Sequence, residues 1–294
     1  MKKTNYDAKR RWNVLFDALN IKRGRNATKQ LLPTNYRCSF NLFSIRPSPH
    51  DAAWYLYTLR HGTSTSLSVE IFSPPRKFTV DDLTGFNNTG NVRIWPSEEV
   101  LAHVIVKHGA FFENKAILEV GGGMSCLAGV LLAQRVRCQL VHLTDGNSKA
   151  IANVRKIVKR NRSAFKCPVS CDTLMWNKCA DHGGTYDVIL AADCLFFDNS
   201  RTDLIRLIAK LLKPNGVVLI ATPRRGNTLS TFLNEAGVMG FKCSIHHYYD
   251  EYVWSQHTKW KEDRDYVEDT QYPLFLVVER STSTDDMVKI SLSI

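Results

Sequence analysis

Residues 117–126 read ILEVGGGMSC, and Asp145 follows Gly123 by 22 residues, closing the apolar run QLVHLT at 139–144. A short apolar strand runs into three glycines, and a second strand ends in a carboxylate. A nucleoside-bearing cofactor needs that arrangement: glycines let the backbone approach the ligand, and an ionised carboxylate offers two oxygens to ribose hydroxyls. A glycine triplet alone marks only a tight turn. The acid at this distance, with strand character on both sides, turns the reading toward a cofactor site.

Outward from that segment, helix and strand alternate. Ser97 followed by Glu98 and Glu99 predicts a helix start, since a cap and acids suit the positive helix end. Residues 116–120 predict a first strand, 126–135 a buried helix and 139–144 a second strand. A helix over 147–161 puts Ile151, Val154, Ile157 and Val158 on one face. Residues 169–171 predict a third strand. YDVILA (186–191) is apolar throughout after Asp187, as a strand buried on both faces requires. Leu204, Leu207, Ile208 and Leu211 are periodic in a helix over 199–212, with Lys213-Pro-Asn-Gly216 as its stop signal. Further strands are expected at 217–221, 241–247 and 274–279, and a helix at 228–236. The fold class is therefore α/β, an open and mainly parallel sheet covered by helices. Ligands bind such sheets at the carboxyl ends of the strands. Glu119, Asp145, Asp193 and Pro223 stand at or just beyond those ends.

The N-terminal part reads differently. Trp12, Leu15, Phe16 and Leu19, beside Lys9, Arg10 and Arg11, make a basic amphipathic helix over 6–19. Residues 20–35 are a polar connection. Period-two stretches at 35–44 and 67–72 predict half-buried strands, with Pro47, Pro49, Pro74 and Pro75 breaking the chain between them. The expected division is a basic helix and small α+β lobe over 1–90, the sheet domain over 91–280, and a tail over 281–294. No internal repeat is present.

With 44% hydrophobic and 23% charged residues the chain is globular in composition, and no stretch is apolar for long enough to span a membrane. The opening MKKTNYDAKRRW lacks an apolar signal core, and Asp7 and Asp17 argue against a transit peptide. The eight cysteines, at 38, 126, 138, 167, 171, 179, 194 and 243, contain no Cys-x-x-Cys pair, and neither they nor the nine histidines show metal-ligand spacing. They are read as reduced thiols of a cytoplasmic or nuclear protein without a metal. The net charge is +11, of which +7 lies in residues 1–30, nine Lys/Arg against two Asp. Such a charge favours an acidic partner: nucleic acid, an acidic protein or an anionic membrane.

The chain resembles the seven-stranded, S-adenosylmethionine-dependent methyltransferases, and more narrowly the calmodulin-lysine N-methyltransferases. The matching stretches are GNVRIWPSEEVLA (90–102), EVGGGMSCLAGVLLA (119–133), LTDGNSKAIANV (143–154), ADCLFFD (192–198), PRRGNT (223–228) and HYYDE (247–251), with RRWNVLFDAL (10–19) near the start. The resemblance implies a Rossmann-like sheet of strand order 3-2-1-4-5-7-6, its last strand antiparallel, with helices on both faces. It departs from the wider class where Met124-Ser125 replaces a third glycine. It departs again where Asp193 is followed by Cys194-Leu195-Phe196 rather than by a tyrosine at the third place.

The same resemblance implies the roles of residues. Gly121, Gly122 and Gly123 pass close to the methionine part of the cofactor; a plain turn is the alternative. Glu119 orients the loop or the cofactor amine, or else serves a helix N-terminus. Asp145 takes the ribose hydroxyls, or forms an Asx turn before Asn147. Trp176 lies by the adenine and Trp95 over the cofactor, or both only pack. Ala192 lines the adenosyl side through its backbone. Asp193 is the expected catalytic residue, holding the incoming lysine ammonium, unless it caps the following loop. Arg224, Arg225 and Phe196 are expected to meet the substrate; alternatively the arginines pair with Asp250 and Glu251. His246, His247, Tyr248 and Tyr249 are candidates for a wall of the lysine channel. Calmodulin is the implied partner and a monomer the expected state. Another protein, RNA, or a binding module with a vestigial core are the rival readings. The absence of an Asn-Pro-Pro-Tyr-like motif argues against methylation of a base.

Overall fold

A computed structural model describes residues 40–49, 51–61, 66–73, 93–178, 184–264 and 266–281. The basic helix expected at 6–19, residues 35–39 and the tail from 282 lie outside them.

Three antiparallel strands come first: β1 (Phe43–Pro47), β2 (Trp54–Leu59) and β3 (Ser68–Phe72), with β2 in the centre. The main domain follows as α1 (Pro96–Lys107), β4 (Ala116–Val120), α2 (Leu127–Arg135), β5 (Leu140–Asp145), α3 (Ser148–Asn161), β6 (Val169–Thr173) and β7 (Tyr186–Ala192). It continues with α4 (Asp198–Leu211), β8 (Leu212–Thr222), α5 (Thr228–Val238), β9 (Phe241–His246), α6 (Glu251–Trp260), α7 (Glu268–Gln271) and β10 (Leu274–Arg280). The seven strands lie in the order β6-β5-β4-β7-β8-β10-β9. Only β10 is antiparallel, to both β8 and β9. In sequence terms this is the expected order 3-2-1-4-5-7-6.

Every residue of β4 is buried, as is most of β7. That explains their unbroken apolar runs: both faces of a central parallel strand are covered. From the β4–β7 pair the strand order runs outward in opposite directions. Right-handed crossovers then put α2 and α3 on one face and α4 and α5 on the other. The divergence point opens a crevice at the carboxyl ends of β4 and β7. On α3 only one stripe is buried (Ala150, Ile151, Val154, Ile157 and Asn161), whereas α2 is buried from Leu127 to Gln134. A helix enclosed on all sides carries no amphipathic pattern, and α2 shows none.

The small sheet is tied to this core by two asparagines of α3. Glu70 of the edge strand β3 donates its N–H to Asn161 Oδ1 (3.0 Å), and Asn161 Nδ2 donates to the Glu70 carbonyl (2.8 Å). One amide side chain thus fills the strand edge as a neighbouring strand would. Asn153 Nδ2 donates both to the Phe72 carbonyl (3.0 Å) and to the Met124 carbonyl (2.7 Å), joining β3 to the glycine loop.

Several expectations are corrected here. The first core helix begins at Pro96, whose fixed φ suits the first helical position, and Trp95 precedes it without a side-chain cap. Ser97 is buried inside the helix, not capping it. The strand expected at 35–44 runs instead from Phe43 to Pro47, and Pro47 is tolerated because β1 is an edge strand. β2, whose sequence is WYLYTL, and the helices α6 and α7 had no counterpart in the sequence reading. The stop signal at 213–216 lies within β8, where the β7–β8 register is irregular between Tyr186↔Leu212 and Val188↔Val217. Lys213 is engaged there with Asp187 (2.8 Å).

Candidate active site

The glycine loop is held by the strand beside it. Thr144 Oγ1 donates to the Glu119 carbonyl (2.7 Å), and Gly122 N–H donates to the Thr144 carbonyl (3.0 Å). Gly123 N–H donates to Asp145 Oδ2 (2.9 Å), while Asp145 Oδ1 takes the N–H of Asn147 (2.8 Å). Asp145 therefore orders the loop and also makes the Asx turn that starts α3. Gly121 has a φ of 61°, and a Cβ on it would stand 2.7 Å from Cys194 Sγ and 3.2 Å from the Trp176 ring. On Gly122 a Cβ would stand 2.5 Å from Cys126 Sγ. Both positions require glycine, and Trp176 and two cysteines form the surroundings of the bend. Cys194 is buried against the Val120 and Ala192 carbonyls (3.5 and 3.3 Å). Burial pushes its thiol far up, so it stays protonated and is no nucleophile.

Two further carboxylates lie beneath the loop. Glu119 is buried; its Oε2 takes the Gly129 N–H in the first turn of α2 (2.8 Å), and its Oε1 has no hydrogen-bond partner among the described residues. Glu98, from α1, accepts from Leu127 N–H (2.9 Å) and from the Ser125 hydroxyl. Both acids thus face the positive end of α2. Burial pushes Glu98 up to about 7, and burial with the neighbouring Glu98 holds Glu119 well above the usual carboxylate range. The site is acidic, lined by glycines, and keeps an unpartnered buried oxygen. Those features fit a donor that carries a sulfonium and an amine.

The raised acid has a consequence for stability. Between the ordinary value of 4.5 and about 7, the folded chain binds the Glu98 proton more tightly than the unfolded chain. Stability therefore falls as pH rises through that window, by about 3 kcal/mol from this group, and levels off above it. Glu98→Gln is expected to flatten this part of the urea-unfolding profile between about pH 5 and about pH 8. An unaltered slope in that variant would assign the effect elsewhere.

Asp193 begins the loop after β7. Its N–H donates to the Ala221 carbonyl (2.9 Å), prolonging the β7–β8 ladder, yet its φ is 52°. Arg225 closes on it as a fork, Nη2 to Oδ2 at 2.6 Å and Nε to Oδ1 at 3.2 Å. The Arg225 guanidinium also lies 5.7 Å from the centre of the Phe196 ring. So Asp193, Arg225 and Phe196 come together, while Arg224 is exposed and accepts the Leu229 N–H through its carbonyl (3.3 Å). The internal partner of Arg225 is Asp193, not Asp250 or Glu251. Asp250 is occupied by His103 (3.1 Å), Lys107 (2.7 Å) and the Val253 N–H it caps (3.0 Å). Trp95 stands one turn before Glu98, with the Arg93 guanidinium 4.6 Å from its ring. Ala192 is the last residue of β7. Tyr249, taken as a candidate channel wall, is a core residue instead, its hydroxyl donating to the Pro273 carbonyl (2.6 Å). Sequence reasoning missed Glu98, Ser125, Cys194 and Asn153 as parts of the site. Among the described residues no cluster of His, Cys, Asp and Glu is arranged to hold a metal, and no helix is long and apolar enough to cross a membrane.

A seven-stranded sheet of this order, with a glycine loop and a carboxylate at adjoining strand ends, defines a Rossmann-like methyltransferase. The chain belongs to the lysine methyltransferase family, whose profile matches residues 79–238. Its methyl donor is S-adenosylmethionine. A calmodulin-lysine N-methyltransferase of Arabidopsis thaliana is 32% identical over 68% of this chain and 69% of its own length. The protein N-lysine methyltransferase METTL21A of Xenopus tropicalis is 27% identical over 45% of this chain and 60% of its own. Among solved structures, a TehB-like methyltransferase from Corynebacterium glutamicum superposes with a TM-score of 0.45 at 15% identity, covering 61% of this chain and 88% of that one.

Proposed function

We propose that this protein methylates a lysine of calmodulin. The 32% identity to a calmodulin-lysine N-methyltransferase carries the choice of substrate. The net charge of +11 supports it, because calmodulin is strongly acidic and opposite charge speeds encounter. When bound, S-adenosylmethionine supplies a methyl group activated on a sulfonium. The chain does the rest. Gly121, Gly122 and Gly123 admit the cofactor backbone-close, Asp145 takes the ribose hydroxyls, Glu119 faces the amine, and Trp176, Trp95 and Ala192 wall the adenosyl side.

A lysine amine is protonated in water, with a pKa of about 10.4, and only its neutral form attacks. The Arg225 fork uses one lone pair on each Asp193 oxygen, leaving others to accept from the entering ammonium. Once docked, that ammonium lies near a second cation. Like charge favours release of its proton to water, so Asp193 binds and Arg225 helps to deprotonate. The displacement then depends on alignment. Arg224 and Phe196 lie at the rim for contact with the substrate protein.

The test is transfer of label from tritiated S-adenosylmethionine into a cell lysate by the purified protein. The expected product is one small acidic protein that binds a hydrophobic resin only with calcium. Label removed by ribonuclease would instead establish the RNA reading.

A further inference from the structure

Two non-glycine residues at this strand edge have left-handed backbones, Asp193 (φ 52°) and Arg225 (φ 50°), and their side chains grip each other. Such a conformation is strained for a residue with a Cβ and persists only where the surroundings over-determine it. The Asp193 backbone is fixed by the Ala221 carbonyl of β8. Arg225 lies three residues beyond the end of β8. Its N–H donates instead to the Asp269 carbonyl at 2.7 Å, and the next N–H, of Gly226, donates to Asp269 Oδ2 at 2.8 Å. Gly226 has a φ of 63°, and a Cβ there would meet nothing within 4 Å. Glycine is needed for the backbone angle alone. Two consecutive N–H groups therefore clasp a single residue of α7, the short helix that leads into β10.

We propose that Asp269 is a positioning residue for methyl transfer. It holds the left-handed Arg225 turn so that the guanidinium fork meets Asp193 where the substrate amine enters. This rests on the reading of Asp193 as the residue that receives lysine. Asp269 acts through Arg225, and Arg225 through Asp193. Three strand-end loops, after β7, after β8 and before β10, are locked by one chain of contacts. If Asp269 merely stabilised its own loop, its loss would cost the same whatever residue stood at 225. If it acts through the fork, its effect on turnover disappears once the fork is gone.

The experiment is a double-mutant cycle of Asp269→Ala and Arg225→Gln, with Asp269→Asn as the conservative control, since its amide oxygen still accepts the Gly226 N–H. Turnover is measured on calmodulin with S-adenosylmethionine. Exchange of the Arg225 Nε–H is read by nitrogen NMR on the cofactor-bound protein without substrate. Asp269→Ala is expected to lower kcat about tenfold with the cofactor KM unchanged, and to speed Nε–H exchange by about tenfold or more. Asp269→Asn should stay within about twofold of the parent, and Asp269→Ala should add no loss to Arg225→Gln. A full loss in the Arg225→Gln background, or unchanged Nε–H exchange in Asp269→Ala, would overturn the proposal. Should Asp269→Ala not fold, Asp269→Glu, which keeps the charge but displaces the acceptor, takes its place in the cycle. If calmodulin is not the substrate, the unmodified protein shows no turnover, while the exchange measurement still decides the role of Asp269.

Discussion

Asp193→Asn is expected to lower the single-turnover rate of methyl transfer on the order of 100-fold, while affinity for S-adenosylmethionine changes by less than about threefold. The amide keeps the shape of the side chain and loses its charge. Two consequences follow. The entering ammonium loses its anionic partner, and the Arg225 fork, which needs two oxygens, meets an NH2 group at one prong. Arg225 is then partly buried without its counter-ion, and the turn depends on Asp269 alone. Cofactor affinity is spared because the glycine loop is bonded to Thr144 and Asp145, not to Asp193. A folded Asp193→Asn protein with normal single-turnover rates would make Asp193 structural.

Asp145→Ala is expected to weaken cofactor binding by two to three orders of magnitude, since each hydrogen bond to a charged group is worth about 1.5–3 kcal/mol. It should also destabilise the fold by about 2–4 kcal/mol, because the N–H groups of Gly123 and Asn147 lose their acceptor. Asp145→Asn keeps an acceptor for only one of the Gly123 and Asn147 N–H groups and turns an NH2 toward the other, so it should recover only part of the stability while still losing affinity. Calorimetric titration gives the binding term and urea unfolding the stability term. Unchanged affinity in a folded Asp145→Ala protein would remove Asp145 from the cofactor site.

Much of this architecture is legible in the residues because burial of a central parallel strand writes an unbroken apolar run. β4 falls on the expected 116–120, and β7 exceeds the expected 186–191 by one residue. Asp145 was visible for the same reason, standing where such a run ends. What stayed hidden depends on contacts between distant segments. The Asp193–Arg225 fork joins residues 32 apart, and it follows only once β7 and β8 are neighbours. Glu98 reads as an ordinary first-turn acid of its own helix, but the close packing of α1 on α2 turns it to the end of the other helix. Helix α6 carries WSQHTKW, and its buried side chains are Val253 and His257, too few and too polar to write a stripe. The stacking of His257 on Tyr272 at 3.9 Å that buries this imidazole is a tertiary fact. In β2 the side chains alternate, Tyr55, Tyr57 and Leu59 inward and Leu56 outward, but the inward residues are flanked by Trp54 and Leu56, so no polar residue marks the outer face until Thr58.

The central claim is transfer of a methyl group from S-adenosylmethionine to a calmodulin lysine at the Asp193 edge. Intact-mass spectrometry of purified calmodulin after incubation with the protein and cofactor tests it most directly, with Asp193→Asn in parallel and peptide mapping of the product. The predicted result is a whole number of methyl increments on one lysine side chain, formed by the parent protein and nearly absent with the variant. Calmodulin of unchanged mass after incubation with protein that binds S-adenosylmethionine by calorimetry, or increments equal for parent and variant, would contradict it.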